Sequence, residues 1–288
     1  MSPVVAGLAA ACAFAIATVG VSRLSVSIGT GRTVSATMAL GFVAIAIAAA
    51  VSGPPPHVGA STLFWLACAG VASLAGFALA SAAFRYGGLG ITVPVISTEG
   101  AIAAIIAVAA GERLRGTVAA ALAVVALGVL LATRGRDGDA DSARDGSRSI
   151  LLAMACAAVL GLSLYSIGHV SNDVPVVWVI LPSRVAGFFL FALPNTVSRS
   201  LGSVRRARLR GSDLAWIVFA EAADLAGLWL YTLGARHSIA VTAVIAAQAS
   251  PLAVAFACVF LKERLSRMQT IGFAVITAGV VVVTLAQQ

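Results

Sequence analysis

The chain has 288 residues, of which 60% are hydrophobic and 10% charged, with a mean hydropathy of +1.02 and a formal net charge of +8. A water-soluble fold of that length could not cover so much apolar side chain, because its outer surface must face water; lipid removes the problem. The basic residues sit in short loops with no interleaved aromatics to stack bases, which argues against nucleic acid and for water and lipid headgroups as their partners.

The opening apolar run, Val4 to Val21, has no basic segment before it and is long enough to span. It is expected to be an uncleaved first helix and not a signal peptide. Further runs follow at 33–52, 62–84, 89–110 and 117–133, and after a polar interval at 149–168, 175–195, 213–234, 238–261 and 270–286. The expectation is an all-α membrane protein with ten transmembrane helices. Gly and Ala dominate the runs, which suits helices that pack closely in lipid through small side chains. Gly53-Pro54-Pro55-Pro56 ends the second run, since prolines cannot continue a helix. Cys12, Cys68, Cys156 and Cys258 all lie inside apolar runs at no metal-ligand spacing. They read as small core residues, and neither a metal nor a cofactor is expected.

The segment from Tyr231 to Thr284 is written twice. Slid back until Arg236 meets Arg85, it also lays Val244 on Val93, Val259 on Val108, Glu263-Arg264-Leu265 on Glu112-Arg113-Leu114, Gly279-Val280 on Gly128-Val129 and Thr284 on Thr133. Each copy reads as an Arg-bearing turn, an apolar run, a Glu-Arg-Leu turn and a second apolar run with a late Gly. Arg134 to Arg148, with its interspersed Arg and Asp residues, lies between the copies as a polar linker. The chain thus divides into a five-helix repeat at 1–133, a linker at 134–148 and a second five-helix repeat at 149–288. Five is odd, so the second repeat must enter the bilayer from the opposite face. The repeats are therefore expected to be inverted, an architecture whose substrates bind near the midplane between the copies.

Arg85-Tyr86 through Gly111-Glu112-Arg113-Leu114, Arg236-His237 through Pro251-Leu252 to Lys262-Glu263-Arg264-Leu265, and the late glycines Gly128 and Gly279 carry a further point. Through them the sequence resembles, over both halves, the EamA-type members of the drug/metabolite transporter superfamily. The resemblance implies ten helices in two five-helix repeats and transport of a small solute, often export of amino acids or other metabolites, across a bacterial inner (plasma) membrane. It does not supply the substrate. Where the first repeat of the family carries Glu-Pro, this chain has Glu99-Gly100, so that helix is expected to be less kinked. Family members commonly keep both termini in the cytoplasm. That assignment leaves only Arg113, Arg115 and Arg236 in cytoplasmic loops, with Arg199 to Arg210 and nearly all other basic residues opposite. The positive-inside rule favours the reverse, with both termini outside.

Four ionisable side chains fall inside the runs: Glu99, Arg184, Glu221 and Asp224. Each costs roughly 2.5–3.5 kcal/mol at a helix centre on insertion scales, so each needs a partner, a proton or a watery cavity. Glu221 and Asp224 share one helical face, which Leu228 and Tyr231 continue. Arg184 is expected to pair with one of them, and the surplus carboxylate suits a carrier that loads and releases a proton. A structural ion cluster is the alternative. Glu99 lies about 15 Å into its run at 1.5 Å per residue, near mid-bilayer, and either faces a cavity or braces a helix contact. Its counterpart in the second copy is Ser250, and Gln248 is matched by Ser97. Tyr165 and His169 share a face and, with Trp178 and Trp229, could line a pocket; Trp65 and Trp216 read as interfacial anchors, and Arg85 and Arg236 as headgroup contacts.

These features point to a secondary transporter, an exporter working by alternating access. A small solute and protons are its expected partners, spans 3, 4, 8 and 9 the cavity wall, and spans 5 and 10 a scaffold and homodimer face. Two other classes stay open: a membrane enzyme acting on a lipid-linked substrate, and a non-transporting partner subunit. Against an enzyme, the chain lacks His-Glu-x-x-His, Gly-x-Ser-x-Gly, a phosphate loop and paired cysteines.

Overall fold

The computed structural model describes residues 1–53, 58–86, 95–113, 116–134, 146–193 and 210–249, together with Leu252, Ala253 and single residues near the C-terminus. Every regular element among them is helical, as lipid demands of a backbone that must satisfy its own polar groups. The helices are α1 (Pro3–Ile28), α2 (Thr30–Val51), α3 (Ala60–Tyr86), α4 (Glu99–Ala109), α5 (Gly116–Arg134), α6 (Gly146–His169), α7 (Val176–Gly187), α8 (Gly211–Ala235) and α9 (Ile239–Ala246). They fall on the first nine expected spans, and the tenth, 270–286, lies almost wholly outside the described residues. Among the described residues, five helices are long and apolar enough to cross a membrane, and Glu99–Ala109 and Val176–Ala192 are shorter apolar segments. The chain is an all-helical, multi-pass integral membrane protein.

Local chemistry fixes several boundaries. Ser2 caps α1 by accepting from the Val5 amide at 3.3 Å, and Pro3 fills the first turn, where its missing N–H leaves no bond unmade. Gly29, with φ of +89°, ends α1 and starts α2, a turn too tight for a residue with a side chain. In α7, Pro182 removes one backbone donor, and after Gly187 the helix continues through a π-helical turn, Phe188–Ala192. Such turns interrupt the regular hydrogen-bond ladder and commonly accompany function.

The main packing pairs are α1 with α8 and α3 with α6; α4 packs on α6 and α9, α1 also on α9, and α7 on α2 and α3. Lipid tails are as apolar as leucine, so association depends on close backbone approach and on hydrogen bonds between helices. Along α1 and α8, a Cβ at Gly20 would lie 2.8 Å from Ala220 Cβ, one at Gly227 would lie 2.6 Å from the Phe14 ring, and one at Gly234 would lie 2.7 Å from Ala6 Cβ. Along α3 and α6, hydrogen bonds form the rungs: Ser149 Oγ donates to Ala83 O (3.2 Å), Cys156 Sγ to Gly76 O (3.3 Å) and Ser163 Oγ to Ala69 O (3.0 Å). Successive rungs of both ladders stand about two helical turns apart, which keeps them on one stripe.

Polar contacts gather at the two ends of the bundle. At the first end Arg236 Nε donates to Ser171 O at 2.8 Å, Asn172 Nδ2 donates to Arg236 O at 3.3 Å and Thr62 Oγ1 donates to Asp173 Oδ2 at 3.3 Å. Arg236, expected to reach headgroups, instead clamps the α6–α7 turn to the end of α8. At the second end Ser27 Oγ donates to Asp213 Oδ1 at 3.0 Å and Ser35 Oγ to Phe191 O at 2.9 Å.

Candidate functional site

Arg184 lies about 12 Å into α7 and Glu221 about 15 Å into α8, counting 1.5 Å per residue from Val176 and Gly211. The two helices enter from opposite ends, so both charges sit near the middle of the bundle. Both are 3% exposed, whereas the Asp224 side chain is 35% exposed. Arg184 reaches both carboxylates and not one alone. Its Nη2 donates to Asp224 Oδ2, and its Nη1 stands 3.4 Å from Glu221 Oε1. The second contact is a charge contact without a directional hydrogen bond: among the described residues, Glu221 Oε1 and Arg184 Nε have no hydrogen-bond partner. The guanidinium is therefore held firmly by the reachable acid and loosely by the buried one.

α2 closes this cluster from the other side. Arg184 Nη1 also lies 3.8 Å from Met38 Sδ, and a Cβ at Gly41 would run into the Glu221 carboxylate and stand 3.2 Å from Arg184 Cδ. Pro182 packs on Gly70 of α3, where a Cβ would meet Pro182 Cβ at 3.0 Å, and this fixes α7 one half-turn from the cluster. Neither Met38 nor Gly41 stands out in the sequence. Unbranched apolar residues and glycines are the ordinary filling of such runs, and only the Arg184 partner lends these two significance.

The other expected site residues gather where α4 crosses α9. Gly100 makes the crossing close, because a Cβ there would enter the Ala243 carbonyl and stand 2.6 Å from Ala247 Cβ. Glu99, half-buried, opens α4, with its carbonyl against Gly161 of α6. Ser97 is buried just before it. Gln248 is buried beyond the end of α9; its Nε2 donates to Val244 O at 2.8 Å, while its Oε1 has no partner among the described residues. Ser250 lies outside the described residues. Tyr231 is fully buried and donates to Leu164 O at 2.8 Å, about 10 Å along α8 from Asp224. Tyr165 is buried with its hydroxyl 3.3 Å from His169 Nδ1. The aromatic partner of that pair is Trp65, at ring distances of 5.4 and 5.0 Å, and not Trp178, which packs in the core, or Trp229, which is 43% exposed.

One residue of the duplicated Glu-Arg-Leu turn has a role beyond its own turn. Gly111, with φ of +106°, swings the chain so that Glu112 reaches the start of α9. There Ser238 Oγ donates to Glu112 Oε1 at 2.5 Å and the Ala240 amide donates to Oε2 at 3.3 Å, while Ser238 Oγ accepts from the Val241 amide at 3.2 Å. A carboxylate thus sits on the positive end of a helix from the other half of the chain. Ser238 ahead of an apolar run is a legible cap; that a distant glutamate completes it is not. Glu112 and Arg236 thus tie segments together at the first end of the bundle, and the Gly100 contact joins α4 to α9 deeper inside.

Residues 1–134 match the EamA-like transporter family. A comparison with curated proteins finds no match. Among the 28 matching chains of solved structures is a crystal structure of a protein 18% identical to this chain, with a TM-score of 0.76 and 98% of this chain and 96% of that one covered. At that identity the likeness concerns the fold alone.

Proposed function

The chain belongs to the drug/metabolite transporter superfamily through its EamA-like first half, and on that premise we propose that it is a ten-helix, inverted-repeat secondary transporter that exports a small solute in exchange for protons. The packing supports the inverted repeat. Exchanging each helix for its counterpart five spans away turns α1–α8 into α6–α3, α4–α6 into α9–α1 and α2–α8 into α7–α3, and leaves α2–α7 and α4–α9 unchanged; all of these pairs are in contact. The shift that lays Arg236 on Arg85 also lays Ala220, Gly227 and Gly234 on Ala69, Gly76 and Ala83, the positions that carry the two ladders. α5 exposes Ala119, Ala123 and Leu127, which suits a peripheral scaffold and a homodimer face.

The observation that carries the coupling is Arg184 shared between a buried and a reachable acid near the middle of the bundle. Proton binding to Asp224 frees the guanidinium, and Glu221, then the remaining anion, takes it. This exchange of partners is a bistable element that a proton or a competing cationic or zwitterionic solute can bias. Glu99 and Gln248 at the α4–α9 crossing are the proposed solute contacts, with Ser97, Tyr165 and Tyr231 around them.

The test is transport in proteoliposomes made from the purified chain with an imposed pH gradient. Flux by the chain alone also separates a carrier from an enzyme or a partner subunit. Asp224→Asn and Glu221→Gln keep shape and remove ionisation, so gradient-driven accumulation is expected to be lost while solute–solute counterflow persists. Unchanged accumulation in both variants and in their combination makes the cluster structural and leaves Glu99 as the proton site.

A further inference from the structure

Away from the ion cluster, the second end of the bundle holds a cavity of about 330 Å³ between the end of α1 and the start of α8, lined by Arg23, Ser27, Arg210, Ser212, Asp213 and Trp216. We propose that this cavity binds the phosphate of an anionic phospholipid from the leaflet at that end. Asp213 offsets only one of the two guanidinium charges, and its oxygens are already engaged by neutral donors. Its Oδ1 accepts from Ser27 Oγ and its Oδ2 from the Arg210 amide, both at 3.0 Å, and the residue is buried. Arg23 and Arg210 are exposed, and neither is ion-paired among the described residues. The Arg23 guanidinium instead lies 4.6 Å from the centre of the Trp216 ring, a cation–π contact that holds it at the cavity mouth. Two guanidinium groups and the Ser212 hydroxyl therefore surround a space that keeps one net positive charge after Asp213 is counted. A phosphodiester offers one negative charge and two free oxygens, which an arginine fork can bind in parallel.

The surroundings select a lipid over a soluble phosphate. Trp216 is in the first turns of α8, the level at which aromatic residues meet headgroups, and its ring packs edge-on against Phe219 at 5.7 Å. Phe219, Val218 and Leu214 are exposed along α8 and provide an apolar track for an acyl chain running from the cavity into the bilayer. Positive-inside logic makes the same end cytoplasmic, and that leaflet carries the anionic headgroups.

The purified full chain in neutral detergent, given phosphatidylglycerol, phosphatidylcholine, glycerol 3-phosphate or inorganic phosphate, tests this directly. Native mass spectrometry counts bound lipid, and thermal unfolding reads the linked stabilisation. Phosphatidylglycerol is expected to remain as a one-to-one adduct and to raise Tm, and the other three are expected to do neither. Arg23→Gln with Arg210→Gln should weaken the adduct about ten- to a hundredfold, as expected for lost charge-assisted hydrogen bonds, without changing Tm in phosphatidylcholine. An adduct that survives in the double variant overturns the site. Equal stabilisation by inorganic phosphate or glycerol 3-phosphate overturns the lipid as occupant, and equal retention of phosphatidylcholine overturns recognition of the negative charge.

Discussion

Arg184 is where a single change reveals most about energetics. Glu221 is buried and Asp224 about two-thirds buried, with no other described cation paired to either, and removing the partner of a buried carboxylate leaves uncompensated charge. Arg184→Met is therefore expected to destabilise the protein by about 3–5 kcal/mol, measured by unfolding in micelles. Adding Glu221→Gln and Asp224→Asn to that variant should restore most of the stability, because no uncompensated charge then remains, and under the proposed coupling it should restore no gradient-driven transport. Stability that stays low in the triple variant means that Arg184 acts by packing. The spacing of Glu221 and Asp224 was legible in the sequence, and so was the need for a partner. That Arg184 contacts both acids was not, because pairing depends on how far α7 is inserted beside α8. The duplication adds one clue at this scale: under the repeat shift Gly70 and Ser73 occupy the places of Glu221 and Asp224. The charges belong to one copy only, so they were not needed to build the fold.

At the level of elements, α4 and α9 bear on gating. Under the proposed alternating access, opening of the first end must undo the Glu112 cap and part α4 from α9 at Gly100. Loss of a cap costs roughly 0.5–2 kcal/mol, enough to shift a balanced conformational equilibrium several-fold. Single cysteines replacing Ser97 and Gln248, in a background without the native cysteines, are buried in the closed arrangement. They are expected to react slowly with small aqueous thiol reagents, faster with Glu112→Ala added, and more slowly again with substrate bound. Equal reactivity with and without Glu112→Ala makes the cap a static brace. The apolar runs of the sequence contain these helices, yet they gave no sign of the π-helical turn after Gly187 or of the Glu112 bond. Both are set by contacts between segments distant in the chain, to which a local pattern is blind. Arg236 was misread for the same reason: a basic residue at a helix end usually meets headgroups, and here a facing carbonyl is closer.

For the molecule as a whole, orientation can be read at Gln288. Positive-inside counting places that residue outside, against the habit of the family, so a reporter that is active only in the cytoplasm should stay silent when fused there. A cytoplasmic signal reverses the assignment and turns the arginine-rich end outward. The membrane class was plain from composition, and the Glu-Arg-Leu turns raised the expectation of a doubled plan. The ladders were hidden, although Ala69, Gly76 and Ala83 recur as Ala220, Gly227 and Gly234, because small residues are so common in this chain that their spacing carries little contrast. Those ladders have a consequence for what a unit of this protein is. Each joins a helix from before the linker to one from after it, α3 to α6 and α1 to α8, so the copies are interlaced like clasped fingers. If the ladders hold through the proposed transport cycle, a rigid body in it must mix helices from before and after the linker. Expressed alone, 1–133 or 149–288 would present its small-residue stripes to lipid with nothing to meet them, and each is expected to be degraded. Expressed together as separate chains, they should find one another, co-purify and transport, with the covalent link at 134–148 dispensable. A fragment that folds and persists without the other would show that the copies are independent bodies after all.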